Sequence, residues 1–318
     1  MKKFNVIDLH CDLLSYLVKD SKRTFDDPES RCSRQQLQEG GVKFQVFAIF
    51  TKTDKNSVSE GQGQLQIYSD LLSSSFKHEQ LMSAYAFENA SGFCDEQEPL
   101  KNGLQRLEGT QPLYIGLTWN AENRFGGGSS TTVGLKKDGE VLLDLMAHLQ
   151  IALDLSHASD QLFEDALAYI NTKQLKLPVL ASHSNARAIN DVSRNLPLDF
   201  AQQIWKQGGV IGLNLYRPFL GIFTSDIIQH VEYWLENGGE DHLCLGADFF
   251  CVEDLSFNPL GGFSYFDDYD NASCYGALLQ LLQKELRLSD LQIQKIAWQN
   301  AWNFLNTFNG KKSTLLFP

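Results

Sequence analysis

Short apolar runs alternate with amphipathic stretches along the chain. Eight runs read as strands: FNVIDLH (4–10), FQVFAIF (44–50), SAYAF (83–87), PLYIGLT (112–118), IALDLS (151–156), PVLAS (178–182), GVIGLNL (209–215) and HLCLGA (242–247). Each is short and bounded by polar, Gly or Pro positions, the pattern of a buried parallel strand. Between them, residues 140–150, 198–209 and 224–239 place apolar side chains at helical spacing. The last two finish in Gly-Gly, which predicts a left-handed stop, and Thr224-Ser225-Asp226 predicts a capped start. Two further helical patterns, 275–286 and 288–308, follow the eighth run. Strand then helix, repeated eight times, predicts an α/β fold of the (β/α)8 TIM-barrel type. A doubly wound open sheet is the alternative, but no GxGxxG turn follows the first run. Residues 51–63 and 119–139 read as long loops, and long loops in compact folds often serve as lids or binding segments.

The first run ends unusually, in Asp8, His10 and Asp12. Strand alternation predicts that these three share one face, with Ile7, Leu9 and Cys11 on the other. A carboxylate and an imidazole two residues apart on one face can grip a cation.

Composition narrows the classes. The chain has 318 residues, 43% hydrophobic and 21% charged, as in an ordinary soluble globular protein. One barrel with C-terminal helices accounts for residues 1–318 as a single domain. A net charge of -12 argues against a nucleic-acid partner, which would need a basic surface. The six cysteines (11, 32, 94, 244, 251 and 274) form no CxxC pair, and in a chain of this size they read as reduced thiols. The opening MKKFNVIDLHCD has no signal-peptide pattern, and no run is long enough to span a bilayer. The expectation is a cytoplasmic protein without a membrane partner.

Polar residues then fall at strand ends. His10 and Asp12 close the first run, Glu88 follows the third, His157 the fifth, His183 the sixth and Asp248 the eighth. In a barrel these ends meet at one face, where barrel enzymes keep their active sites. Singly, each has a plainer reading: a hydrogen-bonded histidine, a helix-capping aspartate, a solvated glutamate. Their coincidence of position favours a site. His78, His148, His230 and His242 lie elsewhere and read as structural or surface residues. Imidazoles with carboxylates suit two borderline divalent ions, Zn²⁺ first, and also Mn²⁺, Fe²⁺ or Co²⁺. His10 and Asp12 can hold one, His157 and His183 the other, and Glu88 can bridge. A water shared by two such ions ionises near neutral pH and becomes a nucleophile, leaving Asp248 to carry protons.

The pieces DLHCDLL, AFENAS, LTWNAENRFGGGS, DLSHAS, ASHSNARAINDVSRNLPLD and LGADF occur in this order from residue 8 to about 250. This ordered set resembles the membrane (renal) dipeptidases, peptidase family M19, in a bacterial form. The C-terminal IAWQNAWNFLNTF looks like the family's last helix. The resemblance implies a zinc-dependent dipeptidase on a (β/α)8 barrel, acting on a small dipeptide through a metal-bridging hydroxide. His10 and Asp12 would hold the first zinc, His157 and His183 the second, with Glu88 between them and Asp248 handling protons. It also implies that Arg194, in SRNLPLD, binds the substrate carboxylate, as a bidentate guanidinium can. Trp119 and Asn120 follow the fourth strand and Tyr216 the seventh, and all three are candidate substrate-binding residues. Trp119 stands where mammalian members carry a histidine, and Phe250 and Cys251 stand where many relatives have another acid and a glycine. Dimers are common in the family, which allows a homodimer here.

Two other classes remain open at this level. One is another binuclear barrel hydrolase, of the amidohydrolase type, acting on a cyclic amide, lactone or phosphoester. Many of those bridge their metals with a modified lysine, whereas no lysine closes a candidate strand here and Glu88 takes the bridging place. The other is a non-catalytic binding protein on the same scaffold.

Overall fold

The computed structural model describes residues 4–76, 81–254 and 264–309. His78 lies outside the described residues. Eight parallel strands form the sheet: β1 (Val6–Cys11), β2 (Val42–Ile49), β3 (Met82–Phe87), β4 (Tyr114–Gly116), β5 (Ala152–Asp154), β6 (Val179–Leu180), β7 (Ile211–Leu213) and β8 (Leu243–Leu245). Their order is β6-β5-β4-β3-β2-β1-β8-β7. A parallel bridge between Ala181 and Ile211 joins the two outer strands, so the sheet closes into the expected barrel. Strands β4 to β8 are shorter than the apolar runs that announced them. Their C-terminal residues leave the ladder to build the loops at that end.

Two apolar layers hold the barrel. Ile7, Leu9, Phe44, Val46, Tyr114 and Leu180 fill its interior, where they meet Ala301, Phe304 and Leu305 of the C-terminal helix Asn300–Asn309. A larger layer lies between the strands and the surrounding helices. The helix Ser225–Glu236 shows how such a helix docks: Ile227, His230, Val231 and Trp234 are its buried residues, one stripe at i, i+3, i+4 and i+7. Each apolar side chain buried in this way contributes roughly 1.5–3 kcal/mol.

The Gly-Gly stops hold, since Gly208 and Gly238 have φ of 77° and 100°, a region open to glycine at little cost. The capped start at Thr224 does not. Its side chain makes no capping bond, and the Asp226 carboxylate instead accepts from the Phe223 N–H at 2.9 Å. The 51–63 loop is also shorter than expected, because the helix Ser57–Leu71 begins inside it. Gly61, which reads as a loop residue, lies against the Gly92 carbonyl, where a Cβ would collide. The second long loop ends where the helix Lys137–Leu149 begins. Asn123 folds it, donating to Leu117 O at 2.7 Å and Asn89 Oδ1 at 3.1 Å while its own Oδ1 accepts from Phe125 N at 2.8 Å. All six cysteines are buried and free of disulfides. Among the described residues, no helix is long and apolar enough to cross a membrane.

Candidate metal centre

The C-terminal ends of the strands bring His10, Asp12, Glu88, His157, His183, Arg194 and Asp248 into one buried cluster. The first strand reaches it by an irregularity that alternation does not predict. Asp8 pairs with Gln45 and Cys11 with Phe47, so three steps on β1 match two on β2. This bulge redirects the side chains beyond it. Asp8 therefore does not share a face with His10. Its carboxylate accepts from Tyr275 Oη at 2.5 Å and Ala247 N at 3.2 Å, tying β1 to β8 and to the helix Tyr275–Glu285. His10 turns instead toward Glu88 and Asp248, with Nε2 3.7 Å and 3.8 Å from their carboxylates.

Each imidazole is held through Nδ1. Tyr114 Oη donates to Leu9 O at 2.8 Å, so it accepts from His10 Nδ1–H, also at 2.8 Å. Asn120 Oδ1 accepts from His157 Nδ1–H at 2.9 Å. Ser182 Oγ accepts from His183 Nδ1–H at 2.6 Å. All three Nε2 atoms therefore point into one space, where that of His157 also accepts from Arg194 Nη2 at 3.2 Å. Those of His157 and His183 lie 3.0 Å apart, and Glu88 Oε1 is 2.7 Å from the first and 3.8 Å from the second. His10 Nε2, Asp12 Oδ1 and Glu88 Oε2 are buried without a hydrogen-bond partner among the described residues. Facing lone pairs and orphaned carboxylate oxygens are costly in a dry pocket. They are what a divalent cation with nitrogen and oxygen ligands needs. The donor atoms fall into overlapping groups within 4.8 Å: His10, Asp12 and Glu88; Glu88, His157 and His183; and His10, His183 and Asp248.

The electrostatics agree. Three buried carboxylates face one buried guanidinium, so the pocket is short of positive charge. Burial opposes the charged form of His10, but the neighbouring Glu88 carboxylate, aided by Asp12 and Asp248, raises its pKa to about 10. Burial and then Glu88 push Asp12 well above the usual carboxylate range. Burial, with repulsion from Glu88, lifts Asp248 to about 6 against the pull of His10 and Arg194. Glu88 is held low in spite of burial by the nearby His10 and His157 imidazoles. Burial and the Arg194 charge lower His157 to about 4. Burial and the charges of His10 and Arg194 keep His183 well below its ordinary value.

The remaining candidates surround this cluster. Arg194 donates to Ser184 Oγ at 3.1 Å and His183 O at 3.0 Å, and its buried Nε has no partner among the described residues. Asn120 grips His157 and accepts from Ser129 Oγ at 2.9 Å, so it touches the buried cluster rather than only the cleft. Trp119 is half-buried, edge-on to Phe50 at 5.0 Å and 6.1 Å from the His157 ring. Tyr216 packs 5.1 Å from both Phe219 and Phe250, and the Arg194 guanidinium lies 5.3 Å from the Phe219 ring. Four groups escaped the sequence reading: Tyr114, Asp154, Ser182 and Asn214. Asn214 donates to Asp248 Oδ2 at 2.9 Å, and Asp248 itself sits at φ 62°. The available signal was a polar residue within, or just after, an otherwise apolar strand.

The chain matches the profile of the membrane dipeptidases (peptidase family M19) over residues 1–314. A Klebsiella pneumoniae protein, known as an uncharacterized protein in the pqqA 5′ region, is 31% identical over 230 residues, covering 67% of this chain and 80% of its own. An uncharacterized dipeptidase of Schizosaccharomyces pombe is 32% identical over 149 residues, 43% of this chain and 34% of its own. Among solved structures, a metallo peptidase from Rhodobacter sphaeroides, liganded with a phosphinate mimic of the dipeptide L-Ala-D-Ala, superposes with a TM-score of 0.79 at 20% identity. That match covers 96% of this chain and 100% of the other.

Proposed function

The chain belongs to the membrane dipeptidase family, peptidase family M19, and is therefore a metal-dependent dipeptidase; on that premise we propose that it uses two divalent ions, with Zn²⁺ the expected one. His10 and Asp12 hold one, His157 and His183 the other, and Glu88 offers one oxygen to each side. Bound there, the ions supply Lewis-acid polarisation of the scissile carbonyl and a water acidified to near neutral pH. The protein's own residues do the rest. Arg194 takes the terminal carboxylate of the dipeptide, with its unpartnered Nε directed to that charge. Asn214 occupies Asp248 Oδ2, which leaves Oδ1, the oxygen nearer His10, to pass a proton to the leaving amine nitrogen. Trp119 and Tyr216 border the substrate on either side of this core, and Asn120 keeps His157 oriented. The six unpaired thiols support a reducing, cytoplasmic compartment.

The observation that carries this reading is the convergence of three imidazole Nε2 atoms on buried carboxylate oxygens that lack a hydrogen-bond partner. Its test is metal content per chain by plasma mass spectrometry, as purified and after chelation and zinc refill, together with hydrolysis of L-Ala-D-Ala, the dipeptide mimicked in the R. sphaeroides structure. Close to two equivalents, and turnover restored by refill, are expected. A chain that takes up no metal in either preparation overturns the reading.

A further inference from the structure

Only one of the three ligand imidazoles is connected through its Nδ1 partner to a carboxylate. Tyr114 passes its proton to a backbone carbonyl, and Asn120 is a neutral amide. Ser182 Oγ, by contrast, donates to Asp154 Oδ2 at 2.5 Å while accepting from His183 Nδ1–H. Asp154 is buried, and its Oδ1 accepts from Ser156 N at 3.1 Å, Ser156 Oγ at 2.7 Å and Ser182 N at 2.9 Å. Among the described residues, each donor to this carboxylate is a backbone N–H or a serine hydroxyl, and none is cationic. Ser156 Oγ in turn accepts from His183 N at 3.1 Å, so the same unit fixes both the backbone and the ring of His183.

We infer that Asp154, acting through Ser182, is a positioning group that sets the tautomer of His183 and so arms its Nε2 for the second metal position. The polarity of the chain is forced. A carboxylate accepts only, so the serine hydroxyl must donate to it. The serine then has only lone pairs for His183, which must place its proton on Nδ1 and leave Nε2 bare. Such partners of a metal-ligating histidine fix its tautomer and raise its basicity, and their loss typically lowers metal affinity roughly 10–100-fold.

Asp154→Asn tests the polarity because it should reverse it at nearly constant volume. The three donors at Oδ1 retain the amide oxygen, and the amide nitrogen then faces Ser182 Oγ and donates to it. The serine hydroxyl turns to His183 Nδ1, and the ring proton moves to Nε2, where it blocks the metal. Ser182→Ala removes the acceptor instead and leaves the two tautomers mixed.

Nitrogen shifts of ¹⁵N-histidine in the metal-free full-length chain report the tautomer directly, and zinc titration against a chromophoric chelator reports affinity. The expected result is a pyridine-type Nε2 on His183 in the wild type, a pyrrole-type Nε2 in Asp154→Asn and an averaged signal in Ser182→Ala. One zinc should be weakened roughly 10–100-fold in both variants while the other is retained. If Asp154→Asn does not fold, Ser182→Ala gives the same two readouts after loss of a single hydroxyl. A bare Nε2 and two wild-type zinc affinities in the folded variants would overturn the inference, as would equal weakening of both zincs. The inference rests on the metal reading above, yet the two fail separately. A wild type that binds no zinc sinks that reading, while the tautomer of the metal-free chain still decides the relay.

Discussion

His230 makes acid sensitivity of the fold a quantitative matter. Its ring is fully buried within the apolar stripe of the helix Ser225–Glu236. Nδ1 accepts from Ala186 N at 3.1 Å, and Nε2–H donates to Leu220 O at 2.9 Å. The bond to Ala186 requires a bare Nδ1, so a proton there costs the bond and strands a charge. Burial lowers the pKa to about 4, against small opposing effects of Leu220 O and Asp226. The folded value thus lies below the unfolded value of 6.5, and the unfolded chain binds more protons between them. The neutral ring's contribution is therefore fully present above pH 6.5 and is lost as pH falls toward 4. With those two values, stability should fall by about 2 kcal/mol between pH 7 and pH 5 from this residue alone. His230→Asn keeps an oxygen near Nδ1 to accept from Ala186 N and cannot charge. Its own cost is independent of pH, so wild type and variant should draw together by that amount on acidification. Urea unfolding of both proteins at the two pH values, in chelator so that bound metal plays no part, measures the difference. A gap that stays constant from pH 7 to pH 5 would refute the reasoning. The result bears on the site because Ala186 lies three residues beyond His183, and Leu220 lies in the segment that carries Tyr216.

Other expectations follow from the same geometry. Asp248→Asn should keep both metals and lose roughly 10²–10⁴-fold in kcat, and near-normal turnover would remove Asp248 from proton transfer. Tyr114→Phe takes away the acceptor for His10 Nδ1–H and should weaken metal binding at the β1 position roughly 10–100-fold in a chelator competition. Arg194→Lys replaces a planar fork with a point charge and should raise KM about 10–100-fold, the worth of one charged hydrogen bond. A larger loss in kcat than in substrate affinity would place Arg194 outside carboxylate binding.

Much of this architecture is legible in the chain as written. Parallel strands buried on both faces must be nearly continuous apolar runs, so all eight announce themselves. His10, Asp12, Glu88, His157, His183 and Asp248 stand out because a polar, chemically capable side chain ends each run. Boundaries were less legible where local composition misleads. Gly61 and Gly63 suggest a loop at 51–63, but Gly61 serves the close approach of a helix to the Gly92 carbonyl. Thr224 has the composition of a cap, yet its side chain makes no capping bond.

Periodicity and strand ends, then, are local properties, and they were enough for the barrel and for the side chains gathered at the C-terminal ends of its strands. The aim and protonation of those ligands depend on distant partners. The bulge in β1 arises from pairing with β2, and it sends Asp8 to Tyr275 and His10 into the cluster. Which nitrogen of His10 faces the cluster depends on Tyr114, 104 residues away, and for His157 on Asn120, 37 residues away. An imidazole carries the same two nitrogens wherever it occurs in a sequence. Only a hydrogen-bond partner brought by the fold makes one a donor and the other a metal ligand.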